Sequence, residues 1–238
     1  MEEQTLNPQK LDKWHRWMGN ANIDGSIESE LTNLAVVRLV FSGVKEMVQS
    51  NKKVQRHSAF HSVFAANYAH SVLMYIRRQV RRHRDSISLI GLLDDLLENA
   101  ESISRDYHVG FYTRDITRPS LLEHKNRVGN GTFDRYFAGE AGNHLCSGIV
   151  AADIAILEGV FEHSSSFADR RIAHLDKRSP DTIPTFGELE YWCDTLNETY
   201  WKYHLLLTAA DLQITPILNH NWKEIFQHAW IADEEGNS

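Results

Sequence analysis

The residues of this chain best suited to chemistry on a phosphate lie in one short string, Ala168-Asp169-Arg170-Arg171-Ile172-Ala173-His174-Leu175-Asp176-Lys177. An imidazole titrates near neutral pH and moves protons in either direction, a role worth roughly 10² to 10⁴ in rate when it is positioned. A guanidinium grips a phosphate through two parallel N–H donors and stabilises charge building on its oxygens. On a helix, Arg170 and His174 stand one turn apart and share a face. Residue 168 is six positions from His174, about 9 Å along a helix axis, so a side chain there does not stack on the imidazole. Taken alone, a histidine in a helical protein more often serves as a hydrogen-bonded structural group. The setting argues otherwise, because residues 164 to 189 form a charge-dense junction between two strongly apolar segments.

Other groupings compete with this one. His57 with His61, and Glu140 with His144, have the one-turn spacing of metal-ligand pairs, but no HExxH or ExxH motif supplies a third ligand. The reading therefore assigns no metal and no cofactor. Arg77, Arg78, Arg81, Arg82 and Arg84 form a basic cluster, a pattern more typical of a solvated helix face than of a binding patch. Six tryptophans offer stacking surfaces, although aromatic residues at helical spacing are more often core; Trp14 and Trp17 stand out because their segment is polar.

These groups need elements to position them, and apolar residues recurring at three and four predict helices throughout. The first runs from about Ser26 to Gln49. The second repeats Phe60, Phe64, Tyr68, Val72, Ile76 and Val80 at a strict four-residue step, and the third carries Ile87 to Ile103 with Asp85 or Ser86 as its cap. From His108 to Gly131 the pattern lapses, which predicts an extended loop around one short helix capped by Ser120 and Glu123. A fourth long helix is expected over about Ala141 to Phe161. The next spans Phe186 to Ala210, announced by Pro184 and a Thr185-x-x-Glu188 capping box. A short terminal helix is expected over Trp222 to Ala232, and short turns imply antiparallel neighbours.

The string at 168 to 176 resembles the AbiU-like, abortive-infection branch of the HEPN superfamily, where an Arg and then a polar residue precede a His, in wording such as R-D-K-x-I-A-H-x-D. The resemblance runs on through Pro184, Thr185 and Tyr203-His204-Leu205-Leu206-Leu207. Upstream it reaches Asp85-Ser86-Ile87-Ser88-Leu89-Ile90-Gly91-Leu92-Leu93-Asp94, so it covers roughly residues 55 to 210.

The resemblance implies an all-α, HEPN-like antiparallel bundle and a metal-independent endoribonuclease, a toxin or anti-phage effector cutting RNA, tRNA among the candidates. His174 would transfer the proton, Asp169 would orient the reacting groups, and Arg170, Arg171 and Lys177 would handle the RNA backbone. It also implies a homodimer, with Arg and His of two subunits lining one cleft, and an antitoxin or defence-system partner. The family's Arg falls at Ala168, where the side chain has no charge. Three explanations stand: a deliberate Arg-to-Ala change, a shifted motif using Arg170, or an inactive member. The last leads to the alternative function, a HEPN module that binds RNA, a nucleotide or a partner protein without cleaving.

Composition bounds these readings. At 238 residues, 42% hydrophobic and 24% charged, one domain is expected over 1–238, with a core at about 26–213, an N-terminal helical segment at 1–25 and a C-terminal helix and tail at 214–238. A net charge of -7 opposes broad electrostatic gripping of nucleic acid, so any RNA contact must be local. Cys146 and Cys193 have no CxxC partner, which suits reduced thiols. No signal-peptide pattern opens the chain and no apolar run has the length of a membrane span, so a cytoplasmic protein without membrane attachment is expected.

Overall fold

The computed structural model describes residues 7–19, 25–55, 59–139, 142–167, 184–216, 218 and 221–228. Among them are eight α-helices and no strands, so the fold is all-α. The helices are α1 (Pro8–Met18), α2 (Ile27–Ser50), α3 (Ala59–Val80), α4 (Leu89–Glu98), α5 (Arg105–Thr113), α6 (Pro119–Tyr136), α7 (Ser147–Phe167) and α8 (Phe186–Thr208).

Most helices begin where a side chain satisfies an amide left without an intrahelical partner. Asn7, Ser26, Ser88 and Ser104 cap α1, α2, α4 and α5 in this way. The cap of α4 is Ser88 rather than Asp85 or Ser86, because the chain between α3 and α4 turns at His83–Ser86 and straightens again before the helix. At α8 both capping-box bonds form: Glu188 N–H donates to Thr185 Oγ1 at 3.2 Å and Thr185 N–H donates to the Glu188 carboxylate at 2.7 Å.

Helix α3 runs through the middle, packed against α2, α4, α7 and α8. Its four-step stripe is buried from Tyr68 through Val72, Ile76 and Val80, whereas Phe60 is 55% exposed, so the first turns stand beyond the core. Leu89, Ile90, Leu92, Leu93 and Leu96 of α4 and Leu196, Tyr200, Tyr203, Leu206 and Leu207 of α8 complete the core. Helices α7 and α8 run antiparallel: Asp153 near the start of α7 accepts from Lys202 Nζ at 2.6 Å and from the Tyr203 hydroxyl at 2.8 Å near the end of α8.

Two segments differ from the sequence-based expectation. Residues 108 to 131 are not a loop, since α5 and α6 form a helical hairpin and α6 passes uninterrupted through Gly129-Asn130-Gly131. A Cβ on Gly129 would lie 2.9 Å from Tyr112 Cδ2, so that glycine is what close helix packing demands rather than a break. Helix α6 starts on Pro119 at its first position, where a missing N–H costs nothing, and the Ser120–Glu123 box is not used.

Helix α7 begins at Ser147 instead of 141 because the backbone before it is engaged elsewhere. Leu145 N–H donates to the Ile103 carbonyl at 2.9 Å, Arg105 N–H to the Asn143 carbonyl at 2.8 Å, and Cys146 N–H to the Phe137 carbonyl at 2.8 Å. The expected terminal helix is a short 3-10 turn at Glu224–Gln227; residues 229 to 232 of it lie outside the described residues. Trp222 packs directly over Gly43 of α2.

Candidate functional site

Ala168, Asp169, Arg170, Arg171, His174 and Lys177 all lie outside the described residues. The structure describes the two helices that bound their segment. The chain leaves α7 at Phe167 and returns through Pro184 into α8, and because the helices are antiparallel these points belong to the same end of the bundle. The electrostatic influence of His163 on Glu188 is consistent with that arrangement.

At this end the first turns of α8 are tied to α2 and α3. Arg38 donates from Nε to Glu190 at 2.8 Å and from NH2 to Glu190 and Asp194, the latter at 2.8 Å. Tyr68 donates its hydroxyl to the other Glu190 oxygen. Burial works against the charge on Arg38, but the hydrogen bonds to Glu190 and Asp194 outweigh it and hold the guanidinium protonated. Burial, reinforced by the Glu190 bond, keeps the Tyr68 phenol neutral. Burial also pushes the neighbouring Cys193 thiol up to about 12, so it is a packing group rather than a nucleophile. Both Cys146 and Cys193 are unbridged.

Around this network opens a groove of about 660 Å³ lined by Arg38, Phe41, Lys45, Phe186, Glu190 and Asn197. One wall is a row of rings: Phe41 lies parallel to Tyr68 with centroids 3.8 Å apart, and Phe186 stacks against Phe41 at 5.5 Å. Arg38, Lys45 and Glu190 are the charged groups lining the groove, and Asp194 pairs with Arg38 beside it. Its residues were not singled out in the sequence, because they come from α2, α8 and the segment after α8 and follow ordinary helical spacing within each helix.

At the opposite end of α8 three histidines gather on the last carbonyls. His15 donates from Nε2 to Leu207 O at 3.1 Å, His108 from Nδ1 to Leu206 O at 3.0 Å, and His204 from Nδ1 to Ala210 O at 3.2 Å. A carbonyl only accepts, so each contacting nitrogen carries the proton. Burial pushes both His108 and His204 below the usual histidine range, and the backbone bonds offset this only in part. These are structural histidines that satisfy a helix end. His204 falls in the Tyr203–Leu207 string noted above, whereas no motif marks His15 or His108.

Two members of the arginine cluster at the end of α3 tie helices together. Arg78 pairs with Glu30 of α2 at 2.8 Å, and Arg82 pairs with Asp94 of α4 and Glu158 of α7, each at 2.7 Å. Trp14 is fully buried, its indole N–H donating to Asp95 at 2.9 Å, and Trp192 is core. Trp17 packs against the core with Lys13 Nζ 4.4 Å from its ring centroid. His57 and Glu140, one member of each suggested metal pair, lie outside the described residues. Among the described residues no group of three or more His, Cys, Asp or Glu is placed to hold a metal, and no helix is long and apolar enough to cross a membrane. No protein-family model matches the chain, and neither the curated proteins nor the solved structures contain a significant match to it.

Proposed function

We propose that this protein is a metal-independent endoribonuclease of the HEPN type that acts as a toxin or abortive-infection effector. The observation that carries the reading is the Asp169-Arg170-Arg171-Ile172-Ala173-His174 string itself. The residues that flank it support the reading: the chain leaves α7 at Phe167 and returns through Pro184 at the end of the bundle where Arg38, Glu190 and Tyr68 fix the start of α8. In the proposed reaction the ribose 2′-oxygen attacks the adjacent phosphorus and loses its proton, the bond from phosphorus to the 5′-oxygen breaks, and that oxygen takes up a proton. His174 transfers a proton in this exchange, Arg170 neutralises the phosphate, Asp169 orients them, and Arg171 with Lys177 contacts the backbone. The active form is a homodimer whose two strings line one cleft.

Alanine at 168 favours a second reading, in which the same module binds RNA, a nucleotide or a partner protein without cutting. One experiment separates them. The protein, its Ala168→Arg variant and an Ala168→Arg/His174→Ala variant are incubated with total RNA, with and without a chelator. The nuclease reading expects cleavage by Ala168→Arg that survives the chelator and falls at least about 100-fold in the double variant. Absence of cleavage by Ala168→Arg, or cleavage indifferent to His174, overturns it in favour of the binding module.

A further inference from the structure

Helix α6 is packed chiefly on α5 and carries, on adjacent four-step rows, side chains that line a notch of about 380 Å³ against the end of α8. Arg127, Gly131 and Arg135 form one row. Tyr136 stands on the next, with Trp201 of α8 set edge-on to it, centroids 5.4 Å apart. Asp211 lines the same notch and accepts from the Trp201 indole at 2.6 Å.

Three features set this notch apart from a chance surface hollow. First, neither Arg127 nor Arg135 has an acidic partner among the described residues, whereas Arg38, Arg78, Arg82 and Arg105 all do. Arg135 instead lies over the Tyr136 ring, its guanidinium carbon 5.1 Å from the centroid.

Second, nothing in the fold demands a glycine at 131. A Cβ there meets no atom of the described residues within 4 Å, unlike at Gly129, and a helix-interior glycine without a packing reason costs stability. Its bare backbone leaves the helix surface open between the two guanidinia. Third, cations, aromatic rings and a carboxylate in one small cavity match the parts of a nucleotide: phosphate for the arginines, a base for the rings, hydroxyl or amino donors for Asp211.

We infer that this notch is a binding site for a free nucleoside monophosphate. Two arginines in a chain of net charge -7 suit one phosphate group; a polynucleotide rests on repeated phosphate contacts. Trp201 lies fifteen residues beyond Phe186, about 22 Å along α8, and none of residues 168 to 177 is among those invoked, so the inference does not depend on the nuclease reading.

The test is calorimetric titration of the full chain with each of the four 5′-monophosphates, with adenosine, and with a ten-nucleotide RNA. The site expects at least one monophosphate to bind and adenosine to bind at least tenfold more weakly. It further expects Arg127→Ala/Arg135→Ala to lose at least tenfold in affinity, and Gly131→Leu to lose binding while its thermal midpoint holds or rises. If Gly131→Leu does not fold, the arginine pair decides, since both side chains are exposed and neither has an acidic partner among the described residues. No binding of any monophosphate, equal binding of adenosine, binding of the RNA alone, or affinities unchanged in both variants would each overturn the assignment.

Discussion

His108 donates from Nδ1 to the carbonyl of Leu206 at 3.0 Å, while its buried Nε2, in a ring packed against Tyr112, Phe133 and Phe137, has no hydrogen-bond partner among the described residues. The bond fixes α5 on the end of α8 and fixes the tautomer. It also leaves the ring no route to a second proton without placing a charge in an apolar cage.

This has a consequence for acid stability. The folded chain holds His108 and His204 below the ordinary histidine range through burial, so the unfolded chain binds protons that the folded chain does not. Stability is then full above about pH 6.5 and falls as pH drops through that value, by up to about 1.4 kcal/mol per pH unit for each proton involved. Urea unfolding between pH 8 and pH 5 checks this, and His108→Phe should flatten the slope. A slope identical in wild type and variant would mean that His108 does not contribute.

The amino-terminal helix is held by Asp95, whose carboxylate accepts from Lys13 Nζ at 2.7 Å and Trp14 Nε1 at 2.9 Å. Burial alone would raise its pKa, but the bonds from Lys13 and Trp14 prevail and hold it below the usual carboxylate range. Asp95→Ala strands the buried indole N–H. The expected cost is about 1–2 kcal/mol, the Lys13 pair adding little because it is partly exposed. Hydrogen exchange should show α1 opening ahead of α3 and α8 in this variant, and the Asp95 contribution in the wild type should fade only as pH falls below the ordinary aspartate range.

Two glycines two residues apart on α6, and so on different faces, should respond with opposite signs. Gly129→Ala forces a Cβ to 2.9 Å from Tyr112 and is expected to destabilise by about 1–3 kcal/mol. Gly131→Ala places its Cβ in open space and is expected to stabilise by about 0.5–1 kcal/mol through helix propensity. Chemical denaturation of the pair checks both. Equal effects would mean that α5 and α6 do not approach as closely as described.

What the sequence disclosed follows from the range of each interaction. Helical periodicity and the Thr185–Glu188 cap are local, so α2, α3 and α8 were legible to within a few residues. The α5–α6 hairpin was not, because Gly129 reads as a breaker until Tyr112, seventeen residues away, is known to lie against it. The late start of α7 was hidden for the same reason, resting on bonds from residues 142–146 to 103–105 and 137. Of the chemistry, the string around His174 could be read directly because its members are close in sequence. The groove around Arg38 and the notch around Arg127 and Arg135 draw on separate helices and needed the fold.

The most direct test of the nuclease account is the chemical nature of the ends left on RNA cut by the Ala168→Arg protein. Attack by the 2′-hydroxyl predicts a 2′,3′-cyclic phosphate on one fragment and a free 5′-hydroxyl on the other, in the presence of a chelator. Fragments ending in a 3′-hydroxyl and a 5′-phosphate, or intact RNA, would contradict it.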